Sequence, residues 1–187
     1  MAIYNVAETT NVSGKCFSMV YGNAIENGSV VKKGAIMEGE REIYAAGIPA
    51  KGDEVFLVAN PAWSYENGTI KQNEDAYINV ANKAFRTYGL IADHHDRFGV
   101  MDYGITPVVD GSDELPPAVG DYIGVDTTSV KLKNLGATAP NDAATRGFIG
   151  KIVDINNYGC AIPTGTAGTV STVAKMVVIE VLKNETV

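Results

Sequence analysis

Pro49-Ala50-Lys51-Gly52-Asp53-Glu54-Val55 and Pro117-Ala118-Val119-Gly120-Asp121-Tyr122-Ile123 match at proline, alanine, glycine and aspartate, and each ends on an aliphatic residue. In both, proline fixes φ, glycine permits a positive φ, the aspartate side chain can cap the turn, and an apolar strand begins. Either the same common turn has arisen twice, or the chain holds two related β-subdomains, or one barrel is assembled from two similar halves.

Working outward from the first segment, Glu54-Val55-Phe56-Leu57-Val58-Ala59 is short, apolar and β-branched, and is bounded by Gly-Asp and Asn60-Pro61. That pattern predicts a buried strand. Upstream, Lys15-Cys16-Phe17-Ser18-Met19-Val20-Tyr21 and residues 29–33 read as strands on either side of the Asn27-Gly28 turn, so 15–33 is expected to be a hairpin. Residues 1–14 are polar and turn-rich, and read as an N-terminal arm that packs on something else or stays mobile. Downstream, residues 70–83 lack a clean 3.6-residue stripe and are expected to be irregular or a short helix. Residues 85–91 and 98–105 read as strands joined by the polar turn Asp93-His94-His95-Asp96-Arg97.

Around the second segment, Pro107, Gly111, Pro116 and Pro117 mark residues 107–117 as a linker. Beyond it lie four short apolar runs, at 122–125, 130–132, 148–155 and 176–182, with expected loops at 136–147 and 156–172. The last run, within Lys175-Met176-Val177-Val178-Ile179-Glu180-Val181-Leu182-Lys183, is the strongest strand and is expected to be central. The predicted fold is mainly β, with small barrel or sandwich subdomains, long loops and little helix. Its parts are the arm 1–14, a first β subdomain 15–106 with an irregular middle, the linker 107–117, and a barrel-like second subdomain 118–187.

Composition narrows the function. The chain has 187 residues, 20 of them glycine, and 45% are hydrophobic against 20% charged. So many glycines without a collagen period fit short strands and tight turns. The net charge is −7, so there is no surplus of Lys and Arg to displace counterions from a phosphate backbone, and neither nucleic acid nor an anionic membrane is expected as a partner. The N-terminus lacks the basic and apolar regions of a secretory signal, and no apolar stretch reaches the ~18 residues of a membrane span, so the expectation is a soluble protein made in the cytoplasm. Cys16 and Cys160 lie outside any metal-ligand or redox spacing and read as two small buried residues, with their pairing left open.

The chemistry-bearing residues are few. Asp93-His94-His95-Asp96 holds both histidines and is the one cluster that could ligate a metal or act as acid and base. Neighbours on a strand point to opposite faces, and no H-x-x-x-H or H-x-E motif supports it, so it reads first as a solvated hairpin tip. There is no G-x-S-x-G elbow and no phosphate-binding glycine motif. Glu38, Glu40 and Glu42 lack the spacing that converges oxygens on calcium, and are expected on one exposed strand face. No catalytic, cofactor or metal residue is therefore assigned. Trp63, Tyr65, His94 and His95 are the candidate interaction surface, aromatic side chains being enriched at protein contacts.

The stretch Gly34-Ala35-Ile36-Met37-Glu38-Gly39-Glu40-Arg41-Glu42-Ile43-Tyr44, with Val55-Phe56-Leu57-Val58-Ala59-Asn60-Pro61 and Phe85-Arg86-Thr87-Tyr88-Gly89-Leu90, resembles auxiliary virion proteins of tailed bacteriophages, of the capsid decoration or head-fibre type. The later Val119-Gly120-Asp121, Gly147-Phe148-Ile149-Gly150-Lys151-Ile152-Val153 and Val177-Val178-Ile179-Glu180-Val181 are similar to small β-barrel decoration proteins. The resemblance covers roughly residues 30–185 and rests on pattern rather than an invariant motif. It implies a non-enzymatic structural protein that binds the capsid exterior, has the major capsid protein or another virion protein as partner, and self-associates, with a trimer favoured. It implies no cofactor. The middle section 61–105 exceeds what a minimal decoration barrel needs. Two other readings are a β-barrel ligand- or carbohydrate-binding module, and a hydrolase using the region of His94, His95 and Asp96.

Overall fold

A computed structural model describes residues 4–61, 77–110, 113–163 and 170–187. Both Gly-Asp segments form the turn their residues predict, with the same bonds. Ala50 donates its N–H to Asp53 Oδ2 at 2.8 Å while Asp53 returns its own N–H to the Ala50 carbonyl at 3.1 Å. Ala118 and Asp121 repeat the pattern at 3.0 and 3.1 Å. The two turns differ in their glycines. Gly120 has φ +98, which favours glycine, whereas a Cβ on Gly52 would press on the Val187 carbonyl, so Gly52 serves close approach instead.

Each turn feeds a different sheet. Strands β2 (Cys16–Val20), β3 (Val30–Ile36), β4 (Ile43–Gly47), β5 (Phe56–Val58) and β6 (Ala84–Gly89) close into a barrel in the order β2-β4-β3-β5-β6. The larger sheet takes β1 (Ala7–Asn11), β7 (Arg97–Met101), β8 (Ile105–Thr106), β11 (Tyr122–Val125), β12 (Leu132–Gly136), β13 (Phe148–Pro163) and β14 (Val170–Asn184), in the order β1-β7-β14-β13-β11-β12-β8. A small ribbon of β9 (Val108–Asp110) and β10 (Asp113–Leu115) stands apart. The fold is mainly β, as expected, and no α-helix occurs among the described residues.

Alternation explains how the two sheets share a core. On β5, Leu57 faces the cluster of Phe98, Ile123, Phe148 and Ile179, while Phe56 and Val58 face the barrel interior of Met19, Val31 and Phe85. Val30 and Val31 divide in the same way on β3. β5 and the first two residues of β3 are therefore buried on both faces, which is why Val55-Phe56-Leu57-Val58 reads as a continuous apolar run. On β14, Val177, Ile179 and Val181 point into the shared core, with β7 and β13 on either side.

Several expectations are corrected. Residues 15–33 do not form a hairpin: β2 pairs in parallel with β4 and antiparallel with β6, so Asn27-Gly28 turns the chain without joining neighbours. The sheets do not divide at 107–117, because β1, β7 and β8 precede that stretch yet complete the larger sheet, and β9 and β10 lie within it. The closed barrel belongs to residues 16–89 and not to 118–187. Of the two forms expected of the arm, packed or mobile, the structure shows packing: Ala7–Asn11 forms an edge strand with Ala7 opposite Val100. The irregular form expected of residues 70–83 does hold over 77–83, and residues 70–76 lie outside the described ones. Residues 156–163 and 170–172, expected as loop, carry on the β13–β14 ladder to the Pro163–Val170 pair, since each strand satisfies the other's backbone whatever its burial. Glu38, Glu40 and Glu42 sit in the exposed turn between β3 and β4 rather than on a strand. Cys16 is an exposed free thiol, because Phe17 and Met19 take the inward positions of β2.

Candidate functional site

The passage from barrel to sheet runs through the two histidines. After β6 the chain makes a short 3-10 turn, Ala92–His94, and leaves it with His95 in the left-handed region at φ +52. The expected hairpin tip is thus a crossover, since β6 and β7 lie in different sheets. Asp96, 2% exposed, ties the crossover down. Its carboxylate accepts the Ile91 N–H at 2.8 Å, the Ser13 N–H at 3.1 Å and the Ser13 hydroxyl at 2.5 Å, while its carbonyl accepts the Val181 N–H at 2.9 Å. One aspartate therefore joins the β1–β2 link, the barrel exit and β14.

His94 Nδ1 lies 2.9 Å from Ser13 Oγ, so serine, histidine and aspartate meet here. Their wiring is not that of a nucleophile relay, in which the carboxylate orients the histidine and the histidine takes the serine proton. With the hydroxyl proton on Asp96, His94 can only donate to Ser13 Oγ, and the carboxylate is occupied by backbone donors. The arrangement fastens segments together. His95 points elsewhere: its Nδ1 lies 3.3 Å from Glu180 Oε1, and Arg97 reaches Glu180 Oε2 with Nε at 2.9 Å and Nη2 at 2.6 Å. Hydrogen bonds from Arg97 hold the Glu180 carboxyl below its ordinary range, against the opposing effect of burial. The backbone does turn at the histidines, yet the two rings serve separate partners. Among the described residues no three of His, Cys, Asp and Glu converge on a metal position. Trp63 and Tyr65 lie outside the described residues.

A second site has no local sequence signature. Lys51 from the first Gly-Asp turn, Lys133 from β12 and Arg146 from the β12–β13 link converge on an open cleft with Val125, Thr127 and Asp142. Arg146 grips Asp142 with Nε at 2.6 Å and Nη2 at 3.1 Å, and Lys51 Nζ adds a contact at 2.6 Å. Hydrogen bonds from Arg146 and then Lys51 hold the Asp142 carboxyl at about 2. A Cβ on Gly124 would sit 3.1 Å from Arg146 Nη1, so the missing side chain leaves room for the guanidinium. The Lys133 side chain is exposed and has no hydrogen-bond or ion-pair partner among the described residues. Three cations face one carboxylate in a chain of net charge −7.

A third feature is the far end of the β13–β14 hairpin. β7 holds β14 only over Met176–Glu180, and β11 holds β13 only at Gly150 and Lys151. Outward from there, each strand has only the other as a strand partner among the described residues, as far as the Pro163–Val170 pair. The six steps from Met176 to Val170 span about 20 Å at roughly 3.3 Å per residue. Residues 156–174 contain no Asp, Glu, Lys, Arg or His.

Comparison of the chain with family models, curated proteins and solved structures returned no match.

Proposed function

We propose that this chain is a structural component of a tailed-phage virion that binds the capsid exterior and stabilises or decorates the shell. The observation that carries the reading is the free end of the β13–β14 ribbon. Unpaired strand edges are templates for pairing with another chain, and proteins that must avoid such pairing guard them with charge. Here, among the described residues, the edges lack any other strand partner for about 20 Å, and residues 156–174 carry no charge. An extended ribbon of this kind suits addition to a strand of a neighbouring subunit, where main-chain hydrogen bonds supply affinity. The rest of the chain supports this role: the barrel and the larger sheet share one core, which makes a rigid base for the ribbon.

On this reading the partner is the major capsid protein or another virion protein, the protein works without catalysis or cofactor, and self-association multiplies weak contacts into avidity on a repeating lattice. The test is co-sedimentation with capsid shells of the phage that carries the gene. Saturable binding is expected, and replacing residues 158–173 by a two-residue Asn-Gly turn should abolish it while circular dichroism and thermal unfolding stay cooperative. Full binding by the shortened protein would refute the role of the ribbon.

A further inference from the structure

We infer that the cationic cleft of Lys51, Lys133 and Arg146 receives the acidic turn at residues 38–42 from a second copy of this chain. The inference rests on the assembly reading above and names the self-contact within it. The argument begins with charge. In an acidic protein most surface pairs of two copies repel, so an ordered self-contact needs a place where opposite charges meet. The cleft carries three cations against Asp142, a net +2. Two of the cations are spent on Asp142, and that pairing fixes their positions, while Lys133 remains without a partner among the described residues.

The turn between β3 and β4 is the complement. Glu38, Glu40, Arg41 and Glu42 are all exposed, giving a net −2, and none has an ion pair or side-chain hydrogen bond among the described residues. Its backbone is nonetheless ordered. Met37 donates to the Ile43 carbonyl at 2.9 Å, Glu40 donates to the Met37 carbonyl at 3.1 Å, and Gly39 holds φ +80 between them. The carboxylates are therefore presented on a fixed turn, which lowers the ordering entropy that makes isolated surface pairs weak. Ile36 and Met37, exposed at 51% and 37%, precede the acids, and the half-buried Leu135 lines the cleft, so apolar contact accompanies the charges.

The two patches occupy different parts of the chain. The contact is accordingly head-to-tail, and each copy offers both a turn and a cleft. Such contacts close into rings when the rotation permits, and a trimer is one closed form.

The test is charge reversal followed by mixing, read by light scattering after size exclusion and by native mass spectrometry. The wild-type protein should be a salt-sensitive oligomer. Lys51→Glu with Lys133→Glu, and separately Glu38→Lys with Glu40→Lys and Glu42→Lys, should each weaken self-association by at least about tenfold. Mixed in equal amounts, the two variants should form complexes containing both, because turn and cleft are again opposite in sign in every mixed contact. Lys133→Glu alone, at an exposed and unpartnered site, serves where the double variant fails to fold. A monomeric wild type, undiminished association of either variant, or two monomeric variants that ignore each other would each overturn the inference. Capsid binding is scored separately. A monomeric variant that still sediments weakly with shells leaves the virion reading standing, whereas an intact oligomer that ignores shells leaves the self-contact standing alone.

Discussion

Replacing Asn184 by alanine should destabilise the fold by about 3 kcal/mol. Asn184 lies at the end of β14, and its carboxamide behaves as an extra peptide unit between the two sheets. Its Oδ1 accepts the Val55 N–H at 2.9 Å, and its Nδ2 donates to the carbonyls of Val55 at 2.9 Å and Leu90 at 3.0 Å. Val55 is fully buried and Leu90 is 3% exposed. An exposed bond exchanged for water would cost about 1 kcal/mol, but a buried group left without a partner costs about 1–3 kcal/mol. Three such groups, with one side of the site open to water through the half-buried Asn184, place the sum near 3 kcal/mol. In a domain of this size that lowers Tm by about 6–12 °C. Urea unfolding followed by Trp63 fluorescence and by far-ultraviolet circular dichroism would measure it, the two probes testing for coincident transitions. Asn184→Asp is the sharper companion: it retains the acceptor for Val55 but turns a second oxygen towards two carbonyls, and should be no more stable than the alanine variant at pH 7. A loss below about 0.5 kcal/mol for Asn184→Ala, within the range of an ordinary surface substitution, would refute the idea that this side chain ties barrel to sheet.

The other expectations follow the same reasoning. Asp96→Ala should cost about 3 kcal/mol and Ser13→Ala about 1 kcal/mol, since the first leaves two backbone donors unpaired and the second removes the hydroxyl's bonds to Asp96 and to the exposed His94, whose ring can turn to water; equal losses in chemical denaturation would argue against this. Asp121→Ala should destabilise more than Asp53→Ala, because Asp121 is 8% exposed and also accepts Asn134 Nδ2 at 2.9 Å, whereas Asp53 adds only a salt bridge to the exposed Lys32. The carboxyl of Asp142 is depressed to about 2, so its contribution is fully present above the unfolded value near pH 4 and is lost as the pH falls towards 2. The gap in urea midpoint between wild type and Asp142→Asn should accordingly shrink between pH 6 and pH 3, and a gap that widened on acidification would have the wrong sign.

Strand positions were largely legible in the residues, and strand partners were not. Proline, glycine and aspartate define the turns at 49–53 and 117–121 locally, and an apolar run such as residues 54–59 needs only its own composition to read as buried. The partner of β2 is set by the closed barrel, which brings Cys16 opposite Tyr88 across the length of the subdomain, and nothing near residue 16 encodes that. The same holds for the crossover: His94 and His95 read as a tip because the residues on both sides are strands, and only the topology places those strands in different sheets. Asp96 gave a faint sign, being a carboxylate set directly against the apolar β7. The cationic cleft gave none, since Lys51, Lys133 and Arg146 come from three separate segments. The outer part of the ribbon read as loop because its glycines carry little strand propensity, and its pairing comes from the partner strand.

The proposed virion role is tested most directly by binding of the purified protein to tailed-phage capsid shells, measured by co-sedimentation across a range of protein concentrations. Saturable binding at a fixed number of copies per shell, lost when residues 158–173 are replaced by a short turn, is the predicted result. An intact, folded protein that leaves every shell bare, or a shortened one that binds as well as the whole, would contradict it.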